Sequence, residues 1–243
     1  MLRFLREARK TASDAIFAKN CILCANRTDG NPVCKSCDKL LDGDLLKNPI
    51  ATFKTQNGDI IKCASLYNYN TVGDTLKRFL FFIKQTYNGD ALDYAAKKFS
   101  YPLGMLALPE NTVIVNVPRS TENYDKYGFD QTYEFSRRVK YYCGKKYIYS
   151  NLLKRKRGTK EQKKLSGADR KINASGSIEI RKINLFVLKK RLEMLKNDNP
   201  DILIADDMIT TGSSVEECVN VIRTVFPKSE IFAASLARND IEY

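Results

Sequence analysis

The sequence lacks any long hydrophobic run. No uninterrupted apolar stretch of about 18 residues occurs in it, so it predicts no membrane span. Charged side chains are scattered through the first 20 residues, which therefore lack the continuous apolar segment of a secretory signal. The sequence also contains no internal repeat and no long disordered tract. We therefore expect a soluble, cytoplasmic protein.

A hydrophobic content of 43% in 243 residues is enough for one substantial core and a small appendage. We expect the appendage in residues 1–50 and the main domain in residues 51–243. At the start of the chain, Leu2, Leu5, Ala12 and Ile16 fall on one face of a predicted amphipathic helix. We expect this helix to pack on the rest of the protein.

Seven cysteines without a secretory signal argue against a disulfide framework. Cys21, Cys24, Cys34 and Cys37 form two C-x-x-C motifs that are separated by residues 25–33. Two tight turns at this spacing can bring four thiolates around one tetrahedral Zn²⁺, and metal binding would stabilise a segment with too few apolar residues for a core of its own. A redox-active dithiol pair is the alternative. Four sulfur ligands leave no open position for catalysis, so we expect a structural zinc.

The other cysteines have no partner at ligand spacing. Cys63, Cys143 and Cys218 are each isolated in the sequence. We expect them to be small hydrophobic residues of the core.

Residues 202–214 carry the strongest functional pattern in the sequence. An aliphatic run leads into Asp206 and Asp207, which can accept hydrogen bonds from sugar hydroxyls and help to position a hydrated Mg²⁺. A run of small residues comes next, and their backbone N–H groups can form an anion-binding nest. These residues are Thr210, Thr211, Gly212, Ser213 and Ser214. A predicted helix at 215–225 would point its positive end at the same anion. The pattern predicts a site for a phosphorylated ribose.

A plain strand-to-helix turn is the structural alternative for this segment. An Asp at the N-cap and nearby Thr and Ser residues would account for part of the pattern. Two adjacent carboxylates after an apolar run repel each other, however, and this repulsion favours a ligand.

Strands and helices alternate along residues 51–243. Strands are predicted at 60–69, 112–117, 202–205 and 231–236, and helices at 72–85, 91–108 with a possible break at Pro102, 133–142, 185–195 and 215–225. This alternation predicts an α/β fold in which helices cover both faces of a parallel sheet.

Positive charge is concentrated in residues 137–171, which account for +12 of the formal net charge of +13. The centre of this stretch contains Lys154, Arg155, Lys156, Arg157, Lys160, Lys163 and Lys164. It has no apolar periodicity and predicts a mobile loop that binds a polyanion such as single-stranded DNA. Bases could stack on the nearby tyrosines, which are Tyr124, Tyr127, Tyr133, Tyr141, Tyr142, Tyr147 and Tyr149. A merely solvated surface is the alternative.

Residues 202–214 resemble the phosphoribosyl pyrophosphate loop of the type I phosphoribosyltransferases. The order of motifs along residues 21–238 resembles the ComF family of late competence proteins. After the four cysteines come Tyr67-Asn-Tyr69, Lys84, Val117-Pro118, Gly128-Phe129-Asp130-Gln131, Leu153-Lys154-Arg155, Thr159, Gln162, Arg170 and Asn173. The family has Asn where this chain has Asp130, and its members often carry a further cysteine pair.

The resemblance implies a phosphoribosyltransferase-like fold and a role in single-stranded DNA uptake beside a competence helicase. It implies phosphoribosyl pyrophosphate with Mg²⁺ as the ligand, and we assign Pro118, Arg119, Ser120, Lys154 and Arg155 to the pyrophosphate side of its site. An active transferase on a base or amine acceptor is the alternative function. A transcriptional regulator is a third, but no helix-turn-helix signature is present.

Overall fold

The computed structural model of the protein describes residues 19–70, 73–144, 147–156 and 176–239. The predicted N-terminal helix lies outside these residues, as does most of the basic stretch. Within them the strands are β1 (Lys19–Asn20), β2 (Arg27–Thr28), β3 (Ile50–Lys54), β4 (Ile60–Asn68), β5 (Val113–Asn116), β6 (Ile148–Tyr149), β7 (Leu153–Arg155), β8 (Ile178–Ile180), β9 (Ile202–Ile209) and β10 (Ile231–Arg238).

Helices connect most of the strands. They are α1 (Lys35–Asp42), α2 (Asp74–Gln85), α3 (Gly89–Gly104), α4 (Thr121–Tyr127), α5 (Gln131–Tyr142), α6 (Lys182–Met194) and α7 (Ser213–Arg223). None of the described helices is long and apolar enough to cross a membrane.

Six strands form the central sheet, in the order β3-β4-β10-β9-β5-β6. All neighbours in this sheet pair in parallel except β3, which runs antiparallel to β4 at one edge. Because β9 is an inner strand between β10 and β5, its backbone groups are paired on both sides. The carboxyl ends of β4, β5, β9 and β10 therefore lie at one edge of the sheet, where open α/β sheets bind ligands.

Side chains along the inner strands alternate between two hydrophobic cores. In β9, Leu203 and Ala205 belong to the core covered by α2, α3 and α5, whereas Ile202 and Ile204 belong to the core covered by α6 and α7. Burial of both faces explains why this strand is aliphatic without interruption up to its carboxyl end.

The cysteine module (residues 19–42) packs on one of these two cores. Its α1 buries Leu41 completely among the side chains of α2 and α3. Lys98 of α3 also pairs with Asp38 at 2.5 Å and with Asp42 at 2.6 Å, and both of these carboxylates belong to α1. The module is therefore joined to the sheet domain by apolar contact and by ion pairs.

The hairpin of β3 and β4 holds one side of α7. Its turn contributes Asp59, which pairs with Arg223 at 2.7 Å, and Asn57, whose amide donates to Asn220 at 2.7 Å. The Phe53 ring of β3 lies beside Gly212, the residue that precedes α7. An edge strand therefore supports the start of this helix.

A second hairpin, formed by β7 and β8, holds another side of α7 through Glu217. This buried carboxylate accepts hydrogen bonds from the Ile178 backbone N–H at 2.8 Å and from the Ser177 hydroxyl at 2.9 Å, and it pairs with Arg155 at 3.3 Å. The donors offset the cost of burying a charge. Residues 157–175, which include much of the basic stretch, connect the two strands of this hairpin.

Within the described residues, the helices and strands expected from the sequence are present, with shifts of a few residues at their ends. The α/β class and the mostly parallel sheet are confirmed. Pro102 does not break its helix, because it lies inside the last turn of α3. The strand expected to end before Asp206 continues through Ile209. Several elements were not evident from the sequence pattern, among them β3, β6, the β7–β8 hairpin, α1 and α4.

Candidate functional site

The four cysteines of the two C-x-x-C motifs converge on one point. Their sulfur atoms all lie within 4.8 Å of one another, and those of Cys24 and Cys34 are 3.6 Å apart. Four sulfurs around a tetrahedral Zn²⁺ are separated by about 3.8 Å, given Zn–S bonds of about 2.3 Å. The chain contains no histidine, so no imidazole ligand is available to this cluster. The cluster can hold a metal ion such as zinc.

Backbone N–H groups prepare part of this cluster for ionisation. The N–H of Leu23 donates to the Cys21 sulfur at 3.4 Å, and the N–H of Cys37 donates to the Cys34 sulfur at 3.5 Å. Burial opposes ionisation of Cys21, but N–H donors from Cys34, Leu23 and Cys24 outweigh it and lower its pKa to about 7. Burial and the neighbouring thiols raise the pKa of Cys37. A cation would favour the thiolate form of all four.

Asp206 and Asp207 lie near the carboxyl end of β9, and because strand side chains alternate they face opposite sides of the sheet. The Asp207 carboxylate faces α2 and α5, where it accepts a hydrogen bond from the Gln131 amide at 3.0 Å and pairs with the Lys84 ammonium at 3.5 Å. The Asp206 carboxylate lies on the side of α7 and accepts the Asp207 backbone N–H at 2.8 Å.

Burial dominates the chemistry of Asp206, which is 8% exposed. Its pKa is raised well above the ordinary value of 3.8, first by loss of solvent and then by repulsion from Asp207. A buried carboxyl group that resists ionisation is a feature of ligand-binding and catalytic sites more often than of structural ones.

The phosphate turn (residues 210–214) follows β9 directly. Gly212 has φ +73°, a left-handed conformation that favours glycine, and it caps α7 without a side-chain hydrogen bond. The first backbone N–H groups of a helix have no partner within the helix, so those of Ser213 and Ser214 can donate to an anion. The Thr211 and Ser213 hydroxyls lie 3.0 Å apart beside them.

Three of the residues predicted for the pyrophosphate side, Pro118, Arg119 and Ser120, follow β5, and the other two, Lys154 and Arg155, lie in β7. Arg119 is buried, and its guanidinium donates to the carbonyl oxygens of Phe129 at 2.9 Å and Lys84 at 2.8 Å while lying 4.6 Å from the centre of the Tyr127 ring. These contacts tie the loop after β5 to α2. Ser120 is the N-cap of α4 and accepts the Asn123 backbone N–H.

Three residues of the predicted basic loop belong to the described part of the chain. Lys154 pairs with Glu179 at 3.0 Å across the β7–β8 hairpin, and Lys156 is exposed. Arg155 is held by Glu217 and by the Pro118 carbonyl oxygen, to which its Nε donates at 3.2 Å. Arg157, Lys160, Lys163 and Lys164 lie outside the described residues.

A cleft of about 1210 Å³, the large cleft, brings several of the predicted residues together. Its lining includes Pro118, Arg119, Lys154, Arg155, Arg181 and the aromatic residues Tyr87, Tyr124, Tyr127, Phe129 and Tyr133. Tyr141, Tyr142, Tyr147 and Tyr149 do not line it, and Tyr147 is buried. Three of the seven tyrosines considered for base stacking therefore share a cleft with cations.

Three residues were not assigned to the site from the sequence. Lys84 and Gln131 contact Asp207, and Glu217 anchors the β7–β8 hairpin. The ComF-like order of motifs already included Lys84 and Gln131, but it indicated no contact between them and Asp207. Glu217 lies next to Cys218, within the apolar face of α7. A carboxylate on such a face needs buried hydrogen-bond donors, and this sequence signal could have identified Glu217 as part of a buried polar network.

Comparison of the sequence with family models gave no match, and comparison with curated proteins gave none either.

Replacement of Asp206 by Asn should stabilise the protein at neutral pH. In the unfolded chain the Asp206 carboxyl group ionises near pH 3.8, whereas in the folded protein it keeps its proton to higher pH. As pH rises above 3.8, ionisation therefore stabilises the unfolded state of the parent and lowers its free energy of unfolding. We expect a gain on the order of 1 kcal/mol near pH 7 that shrinks toward pH 4, measured by urea unfolding. Asp201→Asn, at the opposite end of β9, is the control. A lower stability of Asp206→Asn than of the parent at pH 7 would contradict the assignment.

Proposed function

We propose that this chain is a ComF-family protein. In this role it would bind phosphoribosyl pyrophosphate, or a related phosphoribose ligand, together with Mg²⁺ at the carboxyl end of β9. It would also bind single-stranded DNA and support its uptake in natural transformation, beside a competence helicase. One observation carries the ligand assignment: two adjacent carboxylates, of which Asp206 is buried, and a turn of small residues with a left-handed glycine lie at the same strand end.

The two halves of this site complement the two ends of a phosphorylated ribose. Sugar hydroxyls donate hydrogen bonds, and the carboxylates of Asp206 and Asp207 can accept them. The 5′-phosphate is an anion, which matches the left-handed Gly212 turn and the amino end of α7. Carboxylate oxygens and phosphate oxygens are also the ligands that Mg²⁺ prefers, and water molecules complete its coordination.

Binding of the phosphoribose ligand can be measured by thermal denaturation. Phosphoribosyl pyrophosphate with Mg²⁺ should raise the melting temperature of the parent protein, since a ligand at about 100 times its Kd adds about 2.7 kcal/mol to the free energy of unfolding. The Asp206→Asn, Asp207→Asn double variant should remain folded and lose this shift. Asp201→Asn is again the matched control. An unchanged shift in the double variant would exclude these carboxylates as the sugar site.

We further propose that the cysteine module contains one structural Zn²⁺. The all-sulfur donor set and the spacing of its atoms suit this ion, and the few buried apolar residues of the module belong to the core that it shares with the sheet domain. Such a site would fix the position of α1 against α3.

Purified protein should contain close to one zinc per chain. Cys37→Ser should release the metal and lower the melting temperature by an amount on the order of 10 °C, because folding of the module depends on it. Cys143→Ser, which changes a cysteine outside the cluster, should retain both metal and stability. Elemental analysis checks the first expectation, and protein prepared without chelators that contains no zinc would contradict it.

The large cleft supports the DNA-binding part of the proposal. Cations from the β7–β8 hairpin can neutralise phosphates, and the rings of Tyr124, Tyr127 and Tyr133 offer faces on which unpaired bases can stack. In the sequence, residues 157–175 lie between the two strands of this hairpin.

Binding to single-stranded DNA should weaken steeply with salt. Each neutralised phosphate adds a slope of about −0.7 to the logarithmic plot of affinity against salt. Replacing Lys156, Lys160, Lys163 and Lys164 by Gln should flatten that slope by about 0.7 for each phosphate that the variant no longer neutralises. The same number of Lys→Gln changes at Lys182, Lys189, Lys190 and Lys196 provides a control of equal charge. Fluorescence anisotropy of a labelled oligonucleotide measures the slope for the parent, the variant and the control. Equal slopes for parent and variant would mean that the basic stretch is only a solvated surface.

An active phosphoribosyltransferase is a second candidate function. A cavity beside Asp207 favours it, because a transferase needs a place for an acceptor next to the ribose. Lys84 and Asp207 at the rim of this cavity would meet both the acceptor and the sugar.

A further inference from the structure

Helix α6 is apolar on two opposite faces. One face packs on the sheet, where Leu188 and Leu192 are buried in the core that α6 shares with α7. The other face is open to solvent and carries four large apolar side chains, which we call the α6 stripe. They are Ile183, Phe186, Val187 and Met194, and they are 79%, 64%, 61% and 85% exposed.

The α6 stripe has the spacing of a helix that packs on another helix. Its later members lie 3, 4 and 11 positions after Ile183, and residues at these intervals share one face of a helix. Lys190 lies in the same row, and its ammonium pairs with Glu193 at 2.8 Å. Single exposed apolar residues are ordinary on a protein surface, whereas a continuous row of them marks an interaction site.

The stripe is not needed to hold α6 in place. Leu188 and Leu192 already attach the helix to the core, and the Asn184 amide fixes its first turn by donating to the Asn151 carbonyl oxygen at 2.7 Å. The helix has 13 residues, so its length is about 20 Å. A partner would therefore meet a preformed apolar surface and would not have to order it on binding.

Positive charge borders the stripe on both edges. Because each residue turns the helix by about 100°, Lys182 and Lys189 lie along one edge and Arg191 lies along the other. All three side chains are exposed, and Lys190 adds a further positive charge within the row. An acidic surface would be attracted to these edges, whereas a basic surface would be repelled.

We propose that the α6 stripe docks an amphipathic helix of a partner protein, one that has apolar side chains on its inner face and Asp or Glu along the edges of that face. Its apolar side chains would cover the stripe, and its carboxylates would pair with Lys182, Lys189 and Arg191. Lys190 would take an acidic residue opposite it, as a charged residue within an apolar seam does when it selects a partner. The proposed phosphoribose site plays no part in this inference.

Other occupants match this surface less well. A second copy of the chain would bring the same basic edges together, and a net charge of +13 already opposes self-association. Residues 1–18 carry four basic and two acidic side chains, so their charge also has the wrong sign. An anionic bilayer would meet the 57% exposed carboxylate of Glu193 beside the stripe, whereas a single helix can place a neutral or basic residue there.

A pair of designed peptides tests the docking of an acidic helix. The first is a labelled peptide of about 20 residues with Leu on one face and Glu along both edges of that face, and the second has Lys in place of every Glu. In fluorescence anisotropy, we expect the acidic peptide to bind the parent protein at least about tenfold more tightly than the basic peptide, because like charges oppose the second complex. The affinity for the acidic peptide should also fall as the salt concentration rises.

A variant of the stripe locates the apolar contact. Phe186→Ser with Val187→Ser changes two exposed positions, so folding should be preserved, and the acidic peptide should bind at least about tenfold more weakly because apolar surface is lost. Phe81→Ser is the matched control, since this ring lies on α2 and is 62% exposed. It should leave the affinity for the peptide unchanged.

A charge variant tests the edges separately. Lys182→Glu with Lys189→Glu should remove or reverse the preference for the acidic peptide. Lys54→Glu with Lys228→Glu makes the same change in net charge at exposed positions away from α6 and should keep that preference.

Fluorescence gives a second measure of contact at the stripe. The parent chain contains no tryptophan, so Phe186→Trp places a single indole there. Its emission should move to shorter wavelength when an acidic peptide without tryptophan is added, because the peptide removes water from the ring.

Several results would overturn the proposal. They are a lack of binding of the acidic peptide to the parent, equal binding of the two peptides, and binding that survives Phe186→Ser with Val187→Ser. Dimerisation of the parent in sedimentation, or its binding to phosphatidylglycerol vesicles, would also overturn it if the same variant abolishes that association. Either of these results would assign the stripe to a different occupant.

Discussion

A carboxylate buried at the end of an inner strand constrains the rest of this structure. Asp206 lies in β9, between β10 and β5. Its carboxylate oxygen accepts a hydrogen bond from the backbone N–H of the next residue, Asp207. Desolvation there disfavours its charge, and Asp207 adds repulsion. The sheet must therefore hold the strand end in place against this cost. On the other face, Lys84 offsets part of it by pairing with Asp207, and Gln131 does so by donating a hydrogen bond to Asp207.

The helix after the phosphate turn is held by both hairpins. Phe53 and Asp59 come from the β3–β4 hairpin, whereas Ser177 and Ile178 come from the β7–β8 hairpin through Glu217. Rigid support of this kind keeps the backbone N–H groups of a turn aimed at one point. Because Arg155 pairs with Glu217 and also donates to the Pro118 carbonyl oxygen in the loop after β5, it connects the β7–β8 hairpin with α7 and with the large cleft.

Two cavities flank the carboxyl end of β9, and their linings differ in chemistry. The large cleft is lined by several cations, whereas the lining of the cavity under α2 is mainly apolar. Arg119 connects the two sides by donating to the Lys84 carbonyl oxygen from the loop after β5. Helix α2 thus covers one cavity while its last turn is fixed to the rim of the other. A ligand that spans β9 would contact both.

Local patterns in the sequence were sufficient for the α/β class, for most helices and inner strands, and for the two C-x-x-C motifs, because periodicity and ligand spacing depend on neighbouring residues. The convergence of the four sulfurs agrees with that expectation. Only the tertiary structure decided that β9 continues through Asp206 and Asp207, that Arg155 pairs with the buried Glu217 and Arg119 with the Phe129 carbonyl oxygen, and that Glu217 anchors a hairpin. These features depend on contacts between residues far apart in the chain, such as Gln131 with Asp207 or Ile178 with Glu217. A hydrophobic pattern identifies a buried face, but it does not say which distant donor will meet a carboxylate there.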